Sequence, residues 1–142
     1  MNIIIFTFIA ITFGKVITEC EVENSLALTF DDGPFVYTEE LLDLLKKENV
    51  QATFFINGNN RWYIYDEKSK KVLNRMKKEG HQIENHTWNH QDLMTLSKCE
   101  ISYEIKQLEK AFKNILGFRP KYLRPPYGSY DERVQKIIEN KG

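Results

Sequence analysis

Short apolar runs of strand length alternate with amphipathic helical stretches along this chain, and no other feature restricts its fold as much. Residues 25–30, "SLALTF", read as a strand, and "TEELLDLLKKEN" reads as a helix. Thr38 suits the N-cap of that helix, with Glu39 and Glu40 in its first turn and Lys46 and Lys47 in its last, which complements the helix dipole. "ATFFI" (52–56) is a second strand, and a polar helix over residues 66–79 stops at Gly80, a suitable C′ residue. "HQIEN" (81–85) is a third strand. Ser97 and Glu100 then form a capping box, behind which Ile101, Ile105, Leu108, Phe112 and Leu116 recur at helical spacing until Gly117. "KYLRPP" (121–126) reads as a fourth strand, and Ser129 with Glu132 caps a last helix over residues 130–140. Alternation of this kind, without repeat or linker, predicts α/β architecture with a parallel sheet.

The chain has 142 residues, enough for one domain with a modest core. Lys plus Arg and Asp plus Glu number 20 each, so the net charge is zero, which argues against an electrostatically driven nucleic-acid binder. The basic runs "KSKK" and "RMKK" belong to the wet face of the second helix. At the N-terminus, residues 3–13 are almost uninterruptedly apolar, too short to span a bilayer comfortably and of the length of a signal-peptide h-region. We read residues 1–18 as a signal peptide and 19–142 as an exported domain with no stable membrane insertion; a buried first strand and an uncleaved anchor are the alternatives. In an oxidising compartment Cys20 and Cys99 are able to pair, but two cysteines do not make a framework.

In parallel α/β folds chemistry gathers where strands end at their carboxyl side. The first strand runs into Asp31 and Asp32, the third into His86 and His90, and the fourth into Arg124, Tyr127 and Gly128. Adjacent carboxylates repel, so the aspartate pair calls for a cation, a shared proton or open water. His86 and His90 lie at i and i+4, which on a helical turn puts both imidazoles on one side. With one aspartate they make a two-histidine, one-carboxylate set with open positions, suited to zinc and also to iron or cobalt. His81, at the other end of the third strand, reads as structural. Trp88 reads as packing, while Trp62 with Asn59, Asn60 and Arg61 is open to ligand contact or simple surface exposure.

"TFDDGP", "HTWNH" and "RPPYG", in that order, resemble the first three motifs of the polysaccharide deacetylases with the NodB homology domain, carbohydrate esterase family 4, and "ATFFINGNN" resembles that family's second strand. The likeness runs from about Leu26 to Gly128. It implies the N-terminal part of a distorted (β/α)7 barrel, with about four strand–helix units present. It also implies a hydrolase that removes N-acetyl groups from a GlcNAc-containing polysaccharide, with chitin the first reading and peptidoglycan or xylan the others. By position, Asp31 matches the catalytic base and Arg124 the residue that orients it. Asp32, His86 and His90 match the ligands of one divalent ion, zinc first and cobalt second. Tyr127 matches the residue whose backbone N–H meets the oxyanion on the bound substrate. A glycan at the sequon Asn85-His86-Thr87 would obstruct that site, so Asn85 is expected to stay unmodified.

Two later motifs of the family have no counterpart here. One carries an aspartate and a tryptophan, the other the histidine that acts as general acid, and no histidine follows His90. The resemblance therefore implies a C-terminally incomplete domain, expected to release acetate poorly on its own. The competing reading is a catalytically deficient wall or coat protein that keeps a carbohydrate groove.

Overall fold

The computed structural model describes residues 10–12, 15–20 and 22–140. Most of the expected signal segment lies outside the described residues. Its tail contributes β1 (Ala10–Thr12) and β2 (Lys15–Ile17), an antiparallel pair in which Ala10 faces Ile17.

The parallel sheet is built from β3 (Thr29–Gly33), β4 (Thr53–Ile56) and β5 (Gln82–Asn85), in the spatial order β3-β4-β5. β4 is central and buried through Phe54, Phe55 and Ile56, as a parallel strand covered on both faces should be. The first strand begins later than the alternation of residues 25–30 predicts. Leu28 supplies only its carbonyl, to the Thr53 N–H, and pairing continues past Phe30 through an irregularity that reaches Gly33. The expected fourth strand is reduced to one parallel bridge, Asn85 to Leu123. Pro125 and Pro126 follow at once, and a proline offers no N–H to extend a ladder.

Four helices connect and cover the sheet: α1 (Thr38–Lys47), α2 (Glu67–Lys78), α3 (Lys98–Leu116) and α4 (Glu132–Glu139). Thr38 is the first residue of α1 rather than its N-cap, and its hydroxyl accepts the Phe35 N–H at 2.9 Å. The capping box of α3 is present, Ser97 accepting from Glu100 N–H and Glu100 from Ser97 N–H. Asp131, not Ser129, caps α4, its carboxylate accepting the Val134 N–H at 2.7 Å. Gly80 and Gly117 end α2 and α3 with left-handed backbone, where a Cβ would be strained.

One core lies between the sheet, α1, α2 and the C-terminal half of α3, centred on Leu42, Phe54, Ile56, Leu73, Met76, Leu108 and Phe112. A second joins the start of α3 to α4 through Leu93, Ile101, Ile105, Leu123, Val134 and Ile137. The α3 stripe read from the sequence thus serves both cores. Among the described residues no helix is long and apolar enough to cross a membrane.

Candidate metal centre

All residues picked from the motifs meet at the carboxyl edge of the sheet. Asp31 and Asp32 leave β3, His86 and His90 follow β5, and Arg124 follows the Leu123 bridge. The two histidines come together for a different reason than helical spacing. Residues 86–90 form an irregular loop in which Thr87 (φ 71°) and His90 (φ 56°) take left-handed backbone, folding the loop back so that the ring centroids stand 5.0 Å apart. Asp32 (φ 65°) and Tyr127 (φ 61°) are left-handed as well. β-Branched and bulky residues seldom adopt this conformation, so the surrounding contacts must impose it.

Those contacts come from the loop after β4 and from the end of β5. Asn57, at the end of β4, donates its side-chain amide to the carbonyls of His86 and Thr87. Asn85 accepts the Thr87 N–H at 2.8 Å and donates to the Ile105 carbonyl, so the sequon asparagine is buried with its side-chain amide engaged. Gly58 and Asn59 donate backbone N–H groups to the Trp88 carbonyl at 3.1 and 2.7 Å. Trp88 itself is packing, as expected, sealed between Gly58, Tyr63 and Tyr65. Trp62 is half-buried, edge-on to Phe35 and beneath the Lys68 ammonium at 4.2 Å.

Asp32 Oδ1 lies 3.0 Å from His90 Nε2 and 3.6 Å from His86 Nε2, and one ligand atom from each of the three falls within 4.8 Å of the others. Donors about 2.1 Å from a tetrahedral ion stand about 3.4 Å from each other, so this set fits a divalent cation. The tautomer of His86 fits too. Its Nδ1 faces the Arg124 carbonyl at 2.7 Å and must donate there, which leaves the Nε2 lone pair directed at Asp32. Burial pushes the His86 imidazole below its ordinary pKa, against the opposing pull of Asp31 and the Arg124 carbonyl, and so favours the neutral, ligating form. Asp32 also receives the Asn60 amide at 3.4 Å.

Asp31 is not part of this group. Its Oδ1 accepts from Arg124 Nη1 at 2.5 Å, and the same nitrogen donates to Thr29 Oγ1 at 3.1 Å. Arg124 is buried, its guanidinium 3.9 Å over the Phe55 ring. Burial draws its pKa down and the Asp31 charge holds it up; a guanidinium stays protonated under either pull. One residue therefore steadies both halves of the site, the Arg124 side chain holding Asp31 and its carbonyl holding His86. Tyr127 is exposed at the rim, its ring edge-on to His90 at 4.8 Å. His81 lies at the opposite end of the sheet, beside a groove of about 670 Å³ that none of the motif residues lines. Sequence reasoning missed Asn57 and Glu104, the latter a carboxylate inside the apolar stripe of α3; a charge at the centre of that stripe is the signal that marks it.

The fold and the site define a class: parallel α/β proteins presenting a candidate mononuclear metal centre beside an ion-paired aspartate at the carboxyl edge of the sheet. Comparison with known proteins makes this specific. The family model described as polysaccharide deacetylase matches residues 18–142. A chitin deacetylase of Pestalotiopsis sp is 55% identical over 120 residues, covering 84% of this chain and 40% of the relative. A peptidoglycan-N-acetylglucosamine deacetylase of Bacillus cereus is 40% identical over 116 residues, covering 81% of this chain and 38% of its own. The solved chitin deacetylase of Colletotrichum lindemuthianum superposes with a TM-score of 0.78 at 46% identity, over 80% of this chain and 50% of that one. The chain belongs to the polysaccharide deacetylase family. It spans half or less of the length of these relatives.

Proposed function

We propose that this chain carries the base, metal ligands and oxyanion donor of a secreted deacetylase that hydrolyses N-acetyl groups of a GlcNAc-containing polymer, chitin first. The observation that carries the reading is the pairing of Asp31 with buried Arg124 directly beside the Asp32, His86 and His90 group. The chitin preference rests on the similarity to the Pestalotiopsis and Colletotrichum proteins, and export rests on the apolar block at residues 3–13.

Asp32, His86 and His90 would hold one divalent ion, zinc by donor type. Such an ion, when bound, polarises a carbonyl and makes water more acidic. Asp31 supplies the general base: Arg124 donates to Oδ1 and orients the carboxylate, so Oδ2 receives the proton from the attacking water. The backbone N–H of Tyr127, presented by the left-handed turn after Pro125 and Pro126, donates to the oxygen on which negative charge develops. Departure of the amine needs a proton, which the family resemblance assigns to a histidine of a later motif.

The test is acetate release from chitotetraose by this chain joined to the C-terminal half of the Pestalotiopsis relative. Release that Asp31→Asn abolishes supports the reading. Release that survives Asp31→Asn, or sugar binding with no release at all, overturns it in favour of a carbohydrate-binding protein. Preference for a peptidoglycan fragment over chitotetraose would move the substrate toward that of the Bacillus relative.

A further inference from the structure

We propose that Glu104, on α3, is a positioning residue of the metal centre, acting through Asn89 to fix His90. The proposal rests on the reading of Asp32, His86 and His90 as ligands.

The two ligand histidines are held in different ways. His86 is oriented through its own ring, by the Arg124 carbonyl on Nδ1. Among the described residues, the polar partner of the His90 ring is Asp32, another ligand. Among the described residues no hydrogen bond from outside the ligand group orients the His90 ring, which otherwise meets only the exposed Tyr127 ring edge-on, so its placement depends on the backbone that delivers it. That backbone is left-handed at His90, and the residue before it is clamped. Glu104 accepts the Asn89 backbone N–H on Oε2 and the Asn89 side-chain amide on Oε1, both at 2.7 Å. With its amide nitrogen taken, Asn89 turns Oδ1 toward Asn59 and accepts from Asn59 Nδ2 at 3.2 Å. A single carboxylate thus ties α3 to the loop of residues 86–90, and Asn89 passes the tie to the loop after β4.

Glu104 occupies an unusual place for a carboxylate. It is 1% exposed, in the stripe of Ile101, Ile105 and Leu108. Packing alone would be served by an apolar side chain there, since removing a carboxylate from water is costly unless its oxygens are fully bonded. Both oxygens are bonded, and both bonds go to the residue before His90. Partners hydrogen-bonded to a ligand itself commonly set metal affinity by a factor of about 10 to 100; Glu104 bonds the residue before the ligand, so its effect belongs at the lower end of that range.

The experiment titrates the metal-free 142-residue chain with Zn²⁺ by calorimetry and chelator competition, for the wild type, Glu104→Gln, Asn89→Ala and Leu108→Ala. Glu104→Gln replaces one acceptor by a donor, and Asn89→Ala removes the side-chain half of the clamp without touching α3. Leu108→Ala, one turn further along α3, is the control for lost fold stability. Both clamp variants should bind Zn²⁺ about 10-fold more weakly, with Leu108→Ala staying within about twofold of wild type despite a lower melting temperature. Wild-type affinity in folded Glu104→Gln and Asn89→Ala overturns the proposal. So does equal weakening in Leu108→Ala, which would make Glu104 a stability residue only. Should Glu104→Gln fail to fold, Asn89→Ala decides by the same criterion. A wild-type chain that takes up no Zn²⁺ overturns the ligand assignment, and this inference with it.

Discussion

Strand β5 carries a buried histidine just beyond each of its ends, and the two make opposite use of the same side chain. His81 precedes the strand and His86 follows it. Burial pushes both imidazoles below their ordinary pKa. Each engages the backbone through Nδ1, but the polarity of the partner differs. Nδ1 of His81 accepts the Ala52 N–H at 3.2 Å, so its proton sits on Nε2 and no lone pair is left for a ligand. Nδ1 of His86 faces the Arg124 carbonyl, so its proton sits on Nδ1 and Nε2 is open. Burial, residue type and strand are shared; one backbone group decides which histidine ties two strands together and which keeps a lone pair open to a cation.

Deleting each ring separates the two histidines most sharply. His86→Ala should reduce bound metal to background in a folded protein, whereas His81→Ala should leave metal stoichiometry intact, both read by elemental analysis after dialysis. Metal retained without the His86 ring would mean that the ligand set is wrong. Next in size, Asp31→Asn should lower acetate release by about a hundred- to ten-thousand-fold while metal content stays unchanged, which separates the base from the ligands beside it. His81→Ala should cost about 1–3 kcal/mol in denaturant unfolding, because the Ala52 N–H loses its acceptor inside the sheet edge. An unchanged midpoint would show that this hydrogen bond is dispensable.

The smallest effect is in pH. Burial, the first cause, lowers the His81 pKa in the folded chain, with Glu79 opposing and Arg75 reinforcing. The unfolded chain then binds a proton that the native one declines. Stability contributed by neutral His81 is complete above the unfolded pKa of about 6.5 and is lost as pH falls below it, by at most about 1.4 kcal/mol per pH unit. His81→Asn keeps an acceptor for Ala52 and cannot titrate, so the difference between its unfolding free energy and that of wild type should shrink on the acid side. A difference independent of pH between 5 and 7 would contradict the shift.

Periodicity and capping made most of the scaffold legible. The run at 52–56, the strand before His86, the α3 stripe and the Ser97–Glu100 box all lie where the pattern puts them. Failures occurred where a local rule met a stronger neighbour. Two prolines cut the fourth strand to a single bridge, and Asp131 took the cap of α4 because its carboxylate, not the Ser129 hydroxyl, reaches the Val134 N–H. The motif residues were visible as types at strand ends, yet the means of assembling them was not. Helical i, i+4 spacing suggested a regular turn for His86 and His90, while the real device is a loop bent by Thr87 and His90 and held by Asn57, Asn85 and Glu104. The bonds from Asn57 and Glu104 come from 15 to 30 positions away in sequence and leave no periodic trace.

The left-handed backbone at Asp32, Thr87, His90 and Tyr127 has a dynamic consequence. Each such residue costs of order 1 kcal/mol relative to an ordinary conformation, and all four surround one site at the sheet's edge. Beneath it, the central strand β4 contains none of these left-handed residues and is buried on both faces. Amide protons of the loop after β5 should therefore exchange with solvent through local opening at a free energy well below that of β4, whose protons wait for the whole domain to unfold. Metal occupancy would close that gap by binding only the closed loop, so the exchange rate of residues 87–90 becomes a readout of how much of the centre is assembled at any moment.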